Sequence, residues 1–278
     1  MRLDQDIALQ YQQRGFVVLD GLFDAEEVQL MNERTQTLFG QPSSARVLEK
    51  DGKTVRAVHG CHLHDDLFGA MVRDPRLIDP AQQLLGGDVY VFQFKINAKA
   101  AFTGDVWEWH QDYIFWREED GVERCDLVNV AIFLDEVHEF NGPLTFIPGS
   151  HREGVLAVPA REGKPDSYEE APDWISNLTA DIKYRMRRQE IERLVSAHGI
   201  EAPKGKAGSV LLFHPNVVHA SVGNLSPFDR SLLVTTYNLT TNAAPPQENP
   251  RPEFLVSRDS TPLRALESSF ADRWLQPA

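Results

Sequence analysis

Val89-Tyr90-Val91-Phe92-Gln93-Phe94-Lys95-Ile96-Asn97-Ala98-Lys99 is the run that decides the fold class. From Gln93 onward polar and apolar residues alternate, the period-two pattern of a strand whose two faces meet different surroundings. Gln93, Lys95, Asn97 and Lys99 share one face, and the other is apolar as far as Ala98. A polar face with two cations and two amides is either solvated or lines an active site. Further β-rich runs follow at 106–112, 127–134, 144–147, 209–213 and 231–239. Gly104, Gly121, Asn141-Gly142-Pro143, Pro148-Gly149 and Gly223 punctuate them. Many short strands broken by turn residues predict a mainly β fold, a sandwich or an open barrel.

Helices are expected to flank that core. Residues 4–13 read as a short helix and Phe16-Val17-Val18-Leu19 as a strand. Asp24-Ala25-Glu26-Glu27 resembles a capping box opening a helix to about Phe39, with Val28, Met31 and Leu38 as its buried stripe. Residues 41–66 read as loop with short strands, and 75–85 as a helix stopped by Gly86-Gly87. Residues 155–205 form a polar, partly helical insertion, and the proline-rich stretch 241–278 is expected to wrap the surface. With no clear linker, one domain spans 1–278: a helical part to about 88, a β core over about 89–240, and the tail.

Composition narrows the function. Apolar content of 42% over 278 residues is enough to bury a core without staples. A net charge of −13 argues against a nucleic-acid surface, which wants clustered Lys and Arg. Cys61 and Cys125 are the only cysteines, too few for a disulfide framework. Residues 1–15 lack the apolar run of a signal peptide, and no stretch nears the roughly 20 apolar residues of a membrane span. A cytoplasmic protein is the expectation, and oligomeric state is not legible.

The chemistry is carried by His110-Gln111-Asp112 and His219. On a strand, residues two apart point to one side, so His110 and Asp112 can aim inward while Gln111 points away. Two histidines and one carboxylate hold Fe(II) on one face and leave the other for substrate and O₂. For the pair alone, a core histidine bonded to Asp112 is an equal reading. His214 competes with His219 as third ligand; His219 is preferred for its offsets from Ser221 and Arg230. Arg230 can hold a small dicarboxylate through two parallel hydrogen bonds, with Ser221 adding a hydroxyl. Its structural alternative is a surface pair with Asp229. Lys99 and Lys95 are further candidates. His59, His62 and His64 form a tight group around Cys61, without the cysteine pair that zinc spacing needs.

His110-x-Asp112, His219-x-Ser221 and Arg230 together resemble the phytanoyl-CoA dioxygenase superfamily of Fe(II)/2-oxoglutarate oxygenases, over roughly residues 5–240. The Gln93-x-Lys95-x-Asn97-x-Lys99 run and Trp109-His110 are similar to the ectoine hydroxylase branch. Leu48 to His62, Gln93 to Ala100, Gly104 to Trp107, Trp109 to Trp116 and Arg251-Pro252-Glu253-Phe254-Leu255 look more closely like the bacterial free L-proline trans-4-hydroxylases. The resemblance implies a double-stranded β-helix (jelly-roll, cupin-like) and hydroxylation of free L-proline at C4, with release of succinate and CO₂. It implies iron on His110, Asp112 and His219, and 2-oxoglutarate on Lys99, Ser221 and Arg230. Gln93, Asn97, Trp116 and Arg117 are the candidate substrate contacts. An aromatic face such as Trp116 suits the cationic amine of proline. Its carboxylate needs a cation, for which Arg56, Arg117 and Lys95 are candidates. Alternatives are another substrate, such as pipecolate, ectoine or a natural-product intermediate, or a cupin-like metal-binding protein without turnover.

Overall fold

The alternating run becomes a central strand. In a computed structural model that describes residues 1–156, 158–163 and 172–275, two antiparallel sheets face each other. Ala157, residues 164–171 of the expected insertion and residues 276–278 of the tail lie outside the described residues. The strands are β1 (Phe16–Leu19), β2 (Arg46–Leu48), β3 (Val55–His59), β4 (Val89–Lys99), β5 (Trp107–His110), β6 (Leu127–Phe133), β7 (Leu144–Phe146), β8 (Val210–Phe213), β9 (His219–Ser221) and β10 (Arg230–Leu239). The larger sheet runs β1-β8-β6-β10-β4-β3-β2 and the smaller β5-β9-β7. This is the jelly-roll expected from the sequence.

Each face of the large sheet has its own partner. Phe94 and Ile96 of β4, Val128, Val130 and Ile132 of β6, and Leu233 of β10 join one apolar cluster with residues of the N-terminal helices. The alternate residues Ala131, Phe133, Leu211, Phe213, Leu232 and Val234 meet Phe146 of the small sheet. Phe146 stacks on Phe16 at 4.6 Å between ring centres, tying β7 to β1. Strands buried on both faces explain why 127–134 reads as a nearly unbroken apolar run. The alternation on β4 starts only at Gln93 because its pairing with β10 slips between Thr236 and Tyr237, a bulge that turns Phe92 to the same side as Gln93.

The helices are α1 (Gln5–Arg14), α2 (Ala25–Gly40), α3 (Asp66–Met71), α4 (Pro75–Leu85), α5 (Asp112–Asp120) and α6 (Arg188–His198). Asp24 and Glu27 form the reciprocal capping box at the start of α2, and Gly86 ends α4 in the left-handed region at φ 76°. α3 and α5 are not apparent from the sequence; α5 occupies the end of what reads as a strand. Nor does the tail simply wrap the surface. Leu255 and Phe270 are buried, and half-buried Arg251 lines the central cavity. No helix among the described residues is long and apolar enough to cross a membrane.

Candidate active site

The cavity between the sheets is built from a bulge and a helix start. Trp107 opposes Ser221 and His110 opposes His219, so a step of three residues on β5 matches a step of two on β9. The extra residue brings Trp107 to the same side as His110, and both line the cavity. Asp112 is not on the strand. It is the first residue of α5, after Gln111 in extended conformation. Gln111 turns away and is buried: its amide donates to the carbonyls of Gly154 and Asn216 and accepts from the Leu156 N–H.

His110, Asp112 and His219 each offer one ligand atom within 4.8 Å of the others. His110 Nδ1 lies 2.6 Å from the Glu108 carbonyl, and His219 Nδ1 lies 3.0 Å from that of Val217. A carbonyl can only accept, so both protons belong on Nδ1 and both Nε2 lone pairs are free. These Nε2 atoms sit 3.6 and 3.9 Å from the Asp112 carboxylate. Asn129 donates to Asp112 Oδ2 at 2.8 Å, and the Thr236 hydroxyl donates to Asn129 Oδ1 at 2.6 Å. Burial opposes ionisation of Asp112, but Lys95, His219 and His110 outweigh it and hold the carboxyl well below its usual range. Burial, then His110, pushes His219 down to about 4 against the pull of Asp112. Neutral, tautomer-fixed His219 beside an ionised carboxylate fits a divalent metal.

A cationic end lies beyond the triad. Arg230 and Lys99 face each other across β10 and β4, and both are buried. Arg230 donates to the Gly142 carbonyl, while its Nε has no hydrogen-bond partner among the described residues; neither has the Ser221 hydroxyl. Burial pushes Arg230 down to about 9 against Asp135, and pushes Lys99 to about 6, with Arg230 and Arg56 adding repulsion. Lys99 donates to the carbonyls of Asp105 and Val222, so the unmet donors are Arg230 Nε and the Ser221 hydroxyl, and an unmet buried guanidinium donor is costly until an anion joins it. Gly142, at φ 73°, fits because a Cβ there would lie 2.6 Å from Lys99 Cδ and 2.7 Å from the Val222 carbonyl.

At the other end, Gln93, Lys95, Asn97 and Trp116 line the wall of a cleft that opens to solvent. Trp116 lies one helical turn after Asp112 and shares its face. Gln93 donates to the Leu255 carbonyl and accepts from Lys95.

A family model described as phytanoyl-CoA dioxygenase (PhyH) matches residues 11–232. The chain belongs to the phytanoyl-CoA dioxygenase family. Within reach of that family, it is 41% identical over 263 residues to an L-proline trans-4-hydroxylase of Streptomyces griseoviridis, covering 95% of this chain and 96% of that one. It is 33% identical to an ectoine dioxygenase of Sphingopyxis alaskensis over 90% of this chain and 82% of the relative. The crystal structure of EctD from S. alaskensis with 2-oxoglutarate and 5-hydroxyectoine superposes with a TM-score of 0.81 at 29% identity, covering 96% of this chain and 89% of that one. The form of EctD with bound Fe gives 0.78 at 30% identity, with the same coverage.

Several sequence expectations are corrected by the packing. Strict strand alternation would put Trp107 on the face opposite His110, three residues on; the bulge brings both to one side. Arg117 is exposed and pairs with Glu118 rather than facing the cavity. Arg56 is buried but committed: it pairs with Glu49, donates to the carbonyls of Leu178 and Val106, and lies over Trp107 at 3.8 Å. His214 stands apart from the triad, with Nδ1 accepting from the Asn216 N–H and its ring 5.1 Å from that of His151. His59, His62 and His64 do not converge on a second metal site among the described residues. Arg251, His59 and Asn177 are polar residues of the cavity that the sequence had not marked as substrate contacts. Arg251 holds Asp120 through Nε at 2.8 Å and Nη2 at 2.5 Å. Its tail position lies far from the motif strands, so only the run Arg251 to Leu255 hinted at it.

Proposed function

We propose that this protein is an Fe(II)/2-oxoglutarate-dependent dioxygenase that hydroxylates free L-proline to trans-4-hydroxy-L-proline, with release of succinate and CO₂. The observation that carries the chemistry is the convergence of His110, Asp112 and His219 beside the buried Arg230–Lys99 pair. The proline reading rests on the 41% identity to the Streptomyces griseoviridis enzyme over nearly the whole chain. The whole chain serves as one catalytic domain, since residues of both the N-terminal part and the tail line the cavity.

His110 Nε2, His219 Nε2 and the Asp112 carboxylate would hold the iron. Arg230 Nε, the Ser221 hydroxyl and Lys99 would receive the distal carboxylate of 2-oxoglutarate. With O₂, iron and 2-oxoglutarate supply the oxidising power that places a hydroxyl group on an unactivated C–H bond. The protein decides which bond that is. Trp116 offers a ring face to the substrate ammonium, at a strength of about 0.5–2 kcal/mol. Gln93 and Asn97 offer amide groups to the ring flank; the Asn97 carbonyl has no partner of its own among the described residues. The substrate carboxylate goes to Arg251 and Lys95. Arg251 lines the cavity while its Nε and Nη2 hold Asp120. The apolar side chains Leu144, Phe213, Leu232 and Val234 keep bulk water from the reacting centre.

Asn129 aims the metal-binding carboxylate. Asn129→Leu should weaken iron binding or turnover by about 10- to 100-fold, the usual cost of losing such a support. Iron titration of the metal-free variant checks it; wild-type affinity and rate would remove Asn129 from this role.

The reaction itself is tested by incubating the iron-loaded protein with 2-oxoglutarate and O₂. Candidate substrates are L-proline, pipecolate and ectoine, the last favoured by the ectoine dioxygenase relatives. The expected result is succinate formation stimulated by L-proline, with trans-4-hydroxy-L-proline identified by chiral chromatography against all cis/trans 3- and 4-hydroxy standards. A cis or C3 product keeps the substrate and sinks the stereochemical assignment. Succinate release that ignores L-proline sinks the substrate.

A further inference from the structure

His59 ends β3 and stands in register opposite Lys95 of β4. It lines the central cavity and is only 2% exposed. Neither of its ring nitrogens has a hydrogen-bond partner among the described residues. A neutral imidazole carries one donor and one acceptor, and a buried polar group left unmet is rare in folded proteins. Such a ring on a cavity wall is complementary to a ligand rather than to the fold.

The surroundings say which ligand group. Burial first, then Lys95 and Arg251, push the ring down to about 3, so it is neutral at working pH. Those two cations make the space around it anion-seeking. His62 offers no competing explanation: its ring packs on Phe94 at 5.1 Å, a residue of the helix-covered face of the sheet. The chain also fixes His59 against the Arg251 segment. Gly60 has φ 65°, and a Cβ there would meet Phe254 Cβ at 2.6 Å, so the glycine lets the tail pack directly on the end of β3.

We propose that His59 donates its ring N–H to the carboxylate of the amino-acid substrate, completing a three-point site with Arg251 and Lys95. The inference rests on the proposed function and names a specificity residue within it. Three donors of different shape around one carboxylate fix the ring of the substrate in rotation as well as in position. His59 thereby selects α-carboxylates over their neutral derivatives.

The test is calorimetric titration of the iron- and 2-oxoglutarate-loaded protein under anaerobic conditions, with L-proline and with L-prolinamide. His59→Leu fills the site without a donor, and His59→Asn keeps an N–H; melting temperatures check that both fold. His59→Leu should weaken L-proline about 10- to 100-fold, as for a lost hydrogen bond to a charged group. Prolinamide should be almost unaffected, 2-oxoglutarate affinity unchanged, and His59→Asn should recover part of the loss. Unchanged L-proline affinity in His59→Leu overturns the proposal. Equal losses for L-proline and prolinamide also overturn it, because the ring then merely shapes the cavity. If the wild type binds pipecolate or ectoine instead of L-proline, the proline reading falls, and the same comparison on that ligand and its amide decides His59. A wild type that binds none of these carboxylates sinks both.

Discussion

Replacing His219 with Ala is expected to abolish turnover, whereas replacing His214 with Ala should leave it substantially intact. The two histidines lie on either side of the same short loop, and both are held largely neutral by burial. Only His219 turns a free Nε2 toward Asp112 and His110, with its Nδ1 proton committed to the Val217 carbonyl. Losing it leaves iron one imidazole and one carboxylate, too few to fix the metal on one face. His110→Ala and Asp112→Ala should fail equally, and Asp112→Glu should fail in large part because the longer side chain displaces its oxygens from the Asn129 amide. The measurement is L-proline-dependent succinate formation together with iron stoichiometry. Activity in His219→Ala with a dead His214→Ala would show that the ligand set is wrong.

The second large effect is expected at Arg230. The guanidinium is buried, and its Nε is unpartnered among the described residues. Removing a charge-assisted contact of this kind costs about 2–5 kcal/mol, which is about 30-fold or more in affinity. Arg230→Ala should therefore raise the apparent KM for 2-oxoglutarate by at least that factor while iron affinity stays near wild type. Arg230→Lys should recover only part, because an ammonium cannot reproduce the two-pronged geometry. An unchanged KM in Arg230→Ala would take Arg230 out of the cosubstrate site.

Much of this architecture was legible because it follows from periodicity and capping. The alternation from Gln93 to Lys99 marked a polar strand face, which the structure turns toward the cavity, and Asp24 with Glu27 marked the start of α2. What escaped was whatever depends on the phase of the chain at a single residue. A bulge leaves no compositional trace, so the true side of Trp107 was hidden. The transition from β5 into α5 likewise hid that Trp116 and Arg117 are about 100° apart around a helix and cannot both face the cavity. Arg56 looked available because its partner Glu49 is met only when the β2–β3 hairpin closes. The roles of Arg251 and His59 depend on the tail crossing back over β3, a contact that no local pattern encodes.

The strand order has a consequence for how the molecule assembles. β1 is held by β8, and the cavity is closed by a residue beyond β10. A ribosome delivers the chain from its N-terminus, so the first strand waits for most of the protein to emerge before it gains a neighbour. Helices α1 to α4 can form locally meanwhile, but the barrel is dominated by pairings distant in sequence, which makes folding slow and leaves apolar strand edges open in the interval. The last wall of the binding space, carried by Arg251, arrives after the sheets have already met. A chain halted shortly after β10 would hold a nearly complete barrel with an unfinished receptor for its substrate.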